Sequence, residues 1–114
     1  MAAKNLVVCI PVSTDRQMGH SWGKASRVAI VTVTDGAITD WTEHAVAWDE
    51  SHDAGGPGSH HARVVRFLLD QHVTTVIAEH MGPPMANTLG KMGLDTHIGV
   101  SGDAEAAVLA VATA

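Results

Sequence analysis

The chain is short of the residues that most often declare a function. Its 114 residues include one Cys, one Phe and no Tyr. A single thiol excludes a disulfide framework and any cluster held by several thiolates of one chain. Basic residues are scarce too: seven Lys+Arg against twelve Asp+Glu leave a formal charge of −5. Phosphate binding needs a basic stripe, so no nucleic-acid partner is expected. No apolar run nears the roughly 18 residues of a membrane-crossing helix. Met1 to Asn5 lacks the basic-then-apolar pattern of a signal peptide. The expectation is one cytoplasmic domain, large enough to enclose its own core and with no membrane partner.

Histidine is what the chain has in number, with eight residues. Imidazoles at that density point to metal or anion chemistry, although exposed His residues need no ligand to explain them. Their placement therefore depends on the architecture.

Lys4–Val12 is apolar on both faces and reads as a central strand that Pro11 brings to an end. Ser26–Thr34 is β-branched, and Asp35-Gly36 then signals a hairpin returning through Ala37–Trp48. Gly55-Gly56-Pro57-Gly58 lies in the next loop, and Ser59 suits the N-cap of a helix over His60–His72. On that helix Val64, Val65, Leu68 and Leu69 form the apolar face. Thr74–Ala78 predicts a fourth strand, Pro84–Met92 a helix, Asp95–Val100 a fifth strand, and a last helix runs to Ala112. The order is β-β-β-α-β-α-β-α, an α/β fold with a five-stranded mixed sheet.

That order places function. A hairpin followed by helical crossovers makes strands one, three, four and five parallel. Their following loops share one edge, where open α/β sheets bind ligands. Those loops carry His20, His52, His60, His61 and His80, together with Met81 and Ser101.

Several stretches resemble the nitrogenase iron–molybdenum cofactor biosynthesis family. They are Cys9-Ile-Pro-Val-Ser-Thr-Asp15, Gly19-His20 with Gly23-Lys24-Ala25, and His61-Ala-Arg-Val-Val-Arg-Phe-Leu-Leu69. Val76-Ile-Ala78, His80-Met-Gly-Pro83 and Gly99-Val-Ser-Gly-Asp-Ala-Glu105 complete the set, which spans nearly the whole chain. The resemblance implies a ribonuclease H-like fold and non-covalent binding of a metal–sulfur cluster, with delivery rather than turnover as the activity. It does not imply a nitrogenase partner, because many relatives occur in organisms that fix no nitrogen. In one place the chain departs from the pattern: Gly19-His20-Ser21-Trp22-Gly23 has Ser where relatives often carry an aromatic directly after His.

The metal-ligand candidates are His20, His60, His61, His80 and Met81. His80-Met81 follows a buried strand, and imidazole and thioether together suit iron, copper or zinc. Either that pair faces the rim, or Met81 packs under the next helix. A helix start disfavours imidazolium and keeps His60 and His61 neutral, while its free N–H groups suit an anion such as a thiometallate. His61 is also readable as a hydrogen-bonded core residue. The expected contacts to the anionic cofactor are Ser13, Gly19, Gly58, Ser59, Gly82 and Ser101. Cys9 reads as a buried hydrophobe, His44 and His72 as structural, and His97 as undecided.

Three functions compete. The first is a carrier or scaffold for an iron–molybdenum, iron–sulfur or molybdenum–copper cluster, working with a donor or acceptor protein. The second is a cofactor-free interaction module that regulates a partner through the same rim or dimerises through the edge strand of the hairpin, with Trp22, Trp41 and Trp48 as interface anchors. The third is a metal-dependent nuclease. It fits least, because the first strand has no carboxylate and Asp15, Asp35 and Glu79 do not obviously converge.

Overall fold

The structure is a computed structural model that describes residues 5–48 and 57–113, the side chains at 14 and 57–60 excepted. Among the described residues the elements run β1 (Asn5–Pro11), β2 (Arg27–Thr34), β3 (Ala37–Ala45), α1 (Pro57–Asp70), β4 (Thr75–Ala78), α2 (Pro83–Lys91), β5 (Asp95–Ile98) and α3 (Ala104–Ala112). A single 3-10 turn, Thr14–Arg16, lies between β1 and β2.

The five strands form one mixed sheet in the order β3-β2-β1-β4-β5. β1 pairs antiparallel with β2 and parallel with β4, which pairs parallel with β5. β3 is antiparallel to β2, so the C-terminal ends of β1, β3, β4 and β5 share one edge. Alternation along β1 explains its unbroken apolar run. Val7 and Cys9 enter one core while Val8 and Ile10 enter the other. The hairpin closes with Thr34 opposite Ala37. Asp35 and Gly36 both take positive φ, 52° and 80°, as a type I′ turn requires.

Helices cover both faces. α1 and α2 place Val64, Leu68, Met85 and Leu89 on one face of the sheet, with Trp22 and Trp48 between. α3 places Ala104, Ala107 and Val108 on the other, where Met18 joins them. Asp103 caps α3 by accepting the Ala106 N–H at 2.8 Å. No helix among the described residues is long and apolar enough to cross a membrane.

Local details depart from the sequence expectations for identifiable reasons. β3 ends at Ala45, not at Trp48, because the Val46 and Ala47 N–H groups both donate to Ser26 O, at 3.0 and 3.1 Å. With Ala47 at φ 53° the chain leaves the sheet, and Trp48 packs on Trp22 and Phe67 with centroids 5.1 and 5.8 Å apart. α1 starts at Pro57, a residue suited to a first turn, so Ser59 lies inside the helix and is not its N-cap. Leu69 is 60% exposed, because the inward stripe of α1 is centred on Val64 and Leu68. Two of the three candidate interface Trp residues, Trp22 and Trp48, are core.

Two measurements test this packing. Trp22 is fully buried, and its Nε1–H has no partner among the described residues. Trp22→Ala is expected to cost about 3–5 kcal/mol in denaturant unfolding. Trp22→Phe, which also removes the unpartnered donor, should cost clearly less. Cys9 is fully buried, and desolvation pushes its thiol up from the ordinary value. The unfolded chain therefore releases this proton first, and stability falls as pH rises through the ordinary thiol range. About 1.4 kcal/mol should be lost between pH 8 and 10, and Cys9→Ala should remove that component of the loss.

Candidate functional site

The rim is built by a loop folded back over the strand ends. After β1 the chain reverses through Thr14–Arg16, so that Gly19 N–H reaches Pro11 O at 2.9 Å and Ser13 N–H reaches Gln17 O at 2.7 Å. Met18 N–H donates to Gly102 O at 2.8 Å, where Gly102 sits at φ 100°, a conformation that suits glycine. Trp22 N–H donates to His80 O at 2.9 Å, and Ser21 and His80 form a parallel bridge. The loops after β4 and β5 are themselves joined by Gly99 N–H to Glu79 O at 3.1 Å. Arg16 adds a side-chain brace, with its guanidinium 4.4 Å above the Trp41 ring and 3.5 Å from Glu105. Three loops thus form one platform.

On that platform His20, Glu79 and His80 meet. The His20 side chain is 81% exposed, and its Nδ1 lies 3.2 Å from Glu79 Oε1. The His80 ring stacks on it at a centroid distance of 6.2 Å and an interplanar angle of 10°. A carboxylate on one imidazole nitrogen fixes the tautomer and leaves the other nitrogen's lone pair outward, the arrangement that metal-ligating histidines use. His20 and His80 are 60 positions apart, so only the loop's path brings them together.

The other expected site residues scatter. Met81 is buried beside Trp22 and Met85 in the core, so it does not share the exposed surface with His80, and the expected His80-Met81 ligand pair is corrected to His20 with His80. His61 is half-buried on α1. The backbone of Gly58, Ser59 and His60 lies in the first turn of α1. The side chains of Ser59 and His60, and His52 and Gly55-Gly56 entirely, lie outside the described residues. Ser13 and Gly19 line a cleft beside His20, while Gly82 and Ser101 are exposed in the rim loops. His44 packs edge-on against Phe67, and His97 lies 3.2 Å from Asp95, away from the rim pair. Cys9 offers no reachable thiolate. Among the described residues no three His, Cys, Asp or Glu side chains are grouped to hold one ion. The site is an open face, not a closed cage.

Sequence reasoning did not place Glu79, Lys24 or Arg27 at this site, naming Glu79 only among the carboxylates of the nuclease alternative. Glu79 had a signal, as the carboxylate that directly precedes His80 at the end of a buried strand. Lys24 stood in the family-like stretch Gly23-Lys24-Ala25 without a role, and Arg27 had no signal, since only the folded loop sets them around the cleft that His20 lines.

Comparison with known proteins agrees with this architecture. The protein designated PH0822 superimposes with a TM-score of 0.74 at 18% identity, covering 95% of this chain and 91% of its own. A Methanocaldococcus jannaschii protein provisionally described as a dinitrogenase gives 0.71 at 13% identity, over 96% and 90% of the two chains. A Thermotoga protein provisionally described as NifB gives 0.66 at 24% identity, over 95% and 88%. At such identities these likenesses establish the fold. No curated protein matches the sequence significantly. The sequence pattern described as dinitrogenase iron-molybdenum cofactor matches residues 4–114, and with nearly its whole length covered the chain belongs to that family.

Proposed function

We propose that the rim binds a preformed, anionic metal–sulfur cluster non-covalently and passes it on, the chain serving as carrier or scaffold. The observation that carries this reading is the stacked His20–His80 pair with Glu79 on His20, fastened at the carboxyl edge of the sheet. In this reading the cluster is cargo, of iron–molybdenum, iron–sulfur or molybdenum–copper type, and the chain is a binding protein and not an enzyme. The partners are a cluster donor and an acceptor, in the cytoplasm, and the sheet is ribonuclease H-like.

The donor set suits cargo of this kind. A preformed cluster supplies most of its metal coordination from its own sulfides and can keep small exogenous ligands at the remaining terminal positions. A protein that holds it reversibly can then contribute only one or two ligands. Two neighbouring imidazoles on an open face meet that need, whereas a bare ion needs more ligands than the described residues group together. Imidazole is compatible with both iron and copper. Glu79 holds the His20 ring in position.

A second reading rests on Ile98, which is 47% exposed on the edge strand β5 and leaves an apolar residue beside an unpaired strand edge. It makes the chain a cofactor-free interaction module, a homodimer in the simplest case.

Anaerobic titration with an iron–sulfur cluster, an iron–molybdenum cluster, and tetrathiomolybdate with copper(I) separates the two. Metal content and visible absorption would be measured after desalting. The wild-type chain is expected to retain one coloured species in stoichiometric amount, and the His20→Ala/His80→Ala variant to lose it. Glu79→Gln should weaken retention by about 10–100-fold. A protein that stays empty in every titration would leave the interaction module as the better reading.

A further inference from the structure

We infer that the cleft between the end of β1 and the start of β2 is an anion subsite for a multiply charged tetrahedral oxo- or thioanion. The inference rests on the cluster-binding reading and adds what the imidazole pair lacks, which is permanent positive charge. The cleft is about 250 Å³ in volume and is lined by Ser13, His20, Ser21, Lys24, Ser26 and Arg27, among others. An adjoining hollow of about 350 Å³ shares Ser13, Ser26 and Arg27 with it.

The composition of this cleft is unusual for the chain. The formal charge is −5, yet two of the seven cationic residues line this cleft, and among the described residues no carboxylate does. Ser21 and Ser26 add hydroxyl donors to the two cations, the mixture that recognises oxyanions, while the Ser13 hydroxyl already donates to Gln17 O at 3.3 Å. At roughly 30 Å³ per water molecule, 250 Å³ has room for an anion of several heavy atoms. His20 belongs both to this lining and to the imidazole pair, so the anion site and the metal-ligating face adjoin.

One competitor is visible. Arg27 Nη1 lies 3.3 Å from Glu43 Oε1, and the other oxygen of Glu43 accepts the Trp41 Nε1–H at 3.0 Å. Trp41 thus holds Glu43 on Arg27, and part of the guanidinium's charge is already spoken for. Lys24 is exposed and has no ion pair among the described residues. The structure therefore assigns Lys24 as the principal anion contact and Arg27 as a contact tempered by Glu43.

Equilibrium dialysis against sodium tetrathiomolybdate and, in parallel, sodium molybdate reads this directly. Bound molybdenum would be quantified at low and high salt. Binding of either anion is expected, weakening with salt as a partly exposed ionic contact does. Lys24→Gln/Arg27→Gln should weaken it at least about tenfold. Glu43→Gln should strengthen it, a gain that structural damage would not produce, and thermal melts would verify that each variant is folded. Preference for the thioanion identifies a sulfide-rich ligand, and equal binding identifies a general tetrahedral dianion; both are consistent with the subsite. Affinity unchanged in the Lys24 and Arg27 variants would overturn it, as would no binding of either anion at millimolar concentration. Cluster titration of the wild type and of Lys24→Gln/Arg27→Gln, run beside the anion dialysis, keeps the two proposals apart. Anion binding that persists while no cluster is retained even by the wild type would sink the carrier reading alone. Cluster retention that ignores Lys24 and Arg27 would sink the subsite alone.

Discussion

The rim depends on the burial of Trp22. Its indole is sealed in the core beneath the β1–β2 loop, and its backbone N–H is spent on the carbonyl of His80. Without that anchor nothing in the sequence between Ser13 and Ser26 would hold His20 near His80, because the loop has few other apolar residues to bury. With it, the apolar driving force of one large side chain, worth a few kcal/mol, positions two polar ones. Met18 fastens the other end in the same way, buried against α3 while its N–H bonds Gly102 O. The functional face is thus held by two hydrophobic plugs that lie beneath it.

How much of this could be read beforehand varies with the range of the interaction. Strand directions and the shared edge were legible, because they follow from apolar runs, one Asp-Gly turn and the handedness of crossovers. Helix positions were legible to within a turn. The Ala45 end of β3 was not, since it depends on a positive φ at Ala47 and on one carbonyl, Ser26 O, that accepts two N–H groups. At the site, His20 and His80 were both recognisable from their loops, but their pairing was not. It arises from Ser21 and Trp22 lying alongside His80, a contact without sequence periodicity. Met81 shows the opposite failure, since a residue next to a functional one inherits its neighbourhood in the sequence but takes the other side of the chain in space. For Trp22, two positions after His20, the structure supplies a use in the core.

Charge and coordination are separated on this surface. The imidazole pair supplies lone pairs, and the cleft beside it supplies cations, with His20 as the shared wall. Division of this sort suits a guest that presents metal in one place and negative charge in another. An acidic net charge does not oppose the proposed anion subsite: the net charge acts at long range and is screened within roughly 10 Å at ordinary salt, while the local cations act at contact. The ring-bound Glu79 sits on the coordination side of that division, outside the wall of the cleft.

The sealed thiol of Cys9 has a bearing on exchange. Small thiols and oxidants reach cysteine through its thiolate, and here the sulfur lies in the core that α1 and α2 cover, with its proton firmly held. Nothing at the rim can form a mixed disulfide, be glutathionylated or compete through sulfur for a soft metal. Whatever rests on His20 and His80 is held by nitrogen alone, so its hold is indifferent to swings in the thiol–disulfide balance of its surroundings. In the proposed carrier reading, a sulfur-rich guest is taken up and surrendered without the chain's own sulfur entering the exchange.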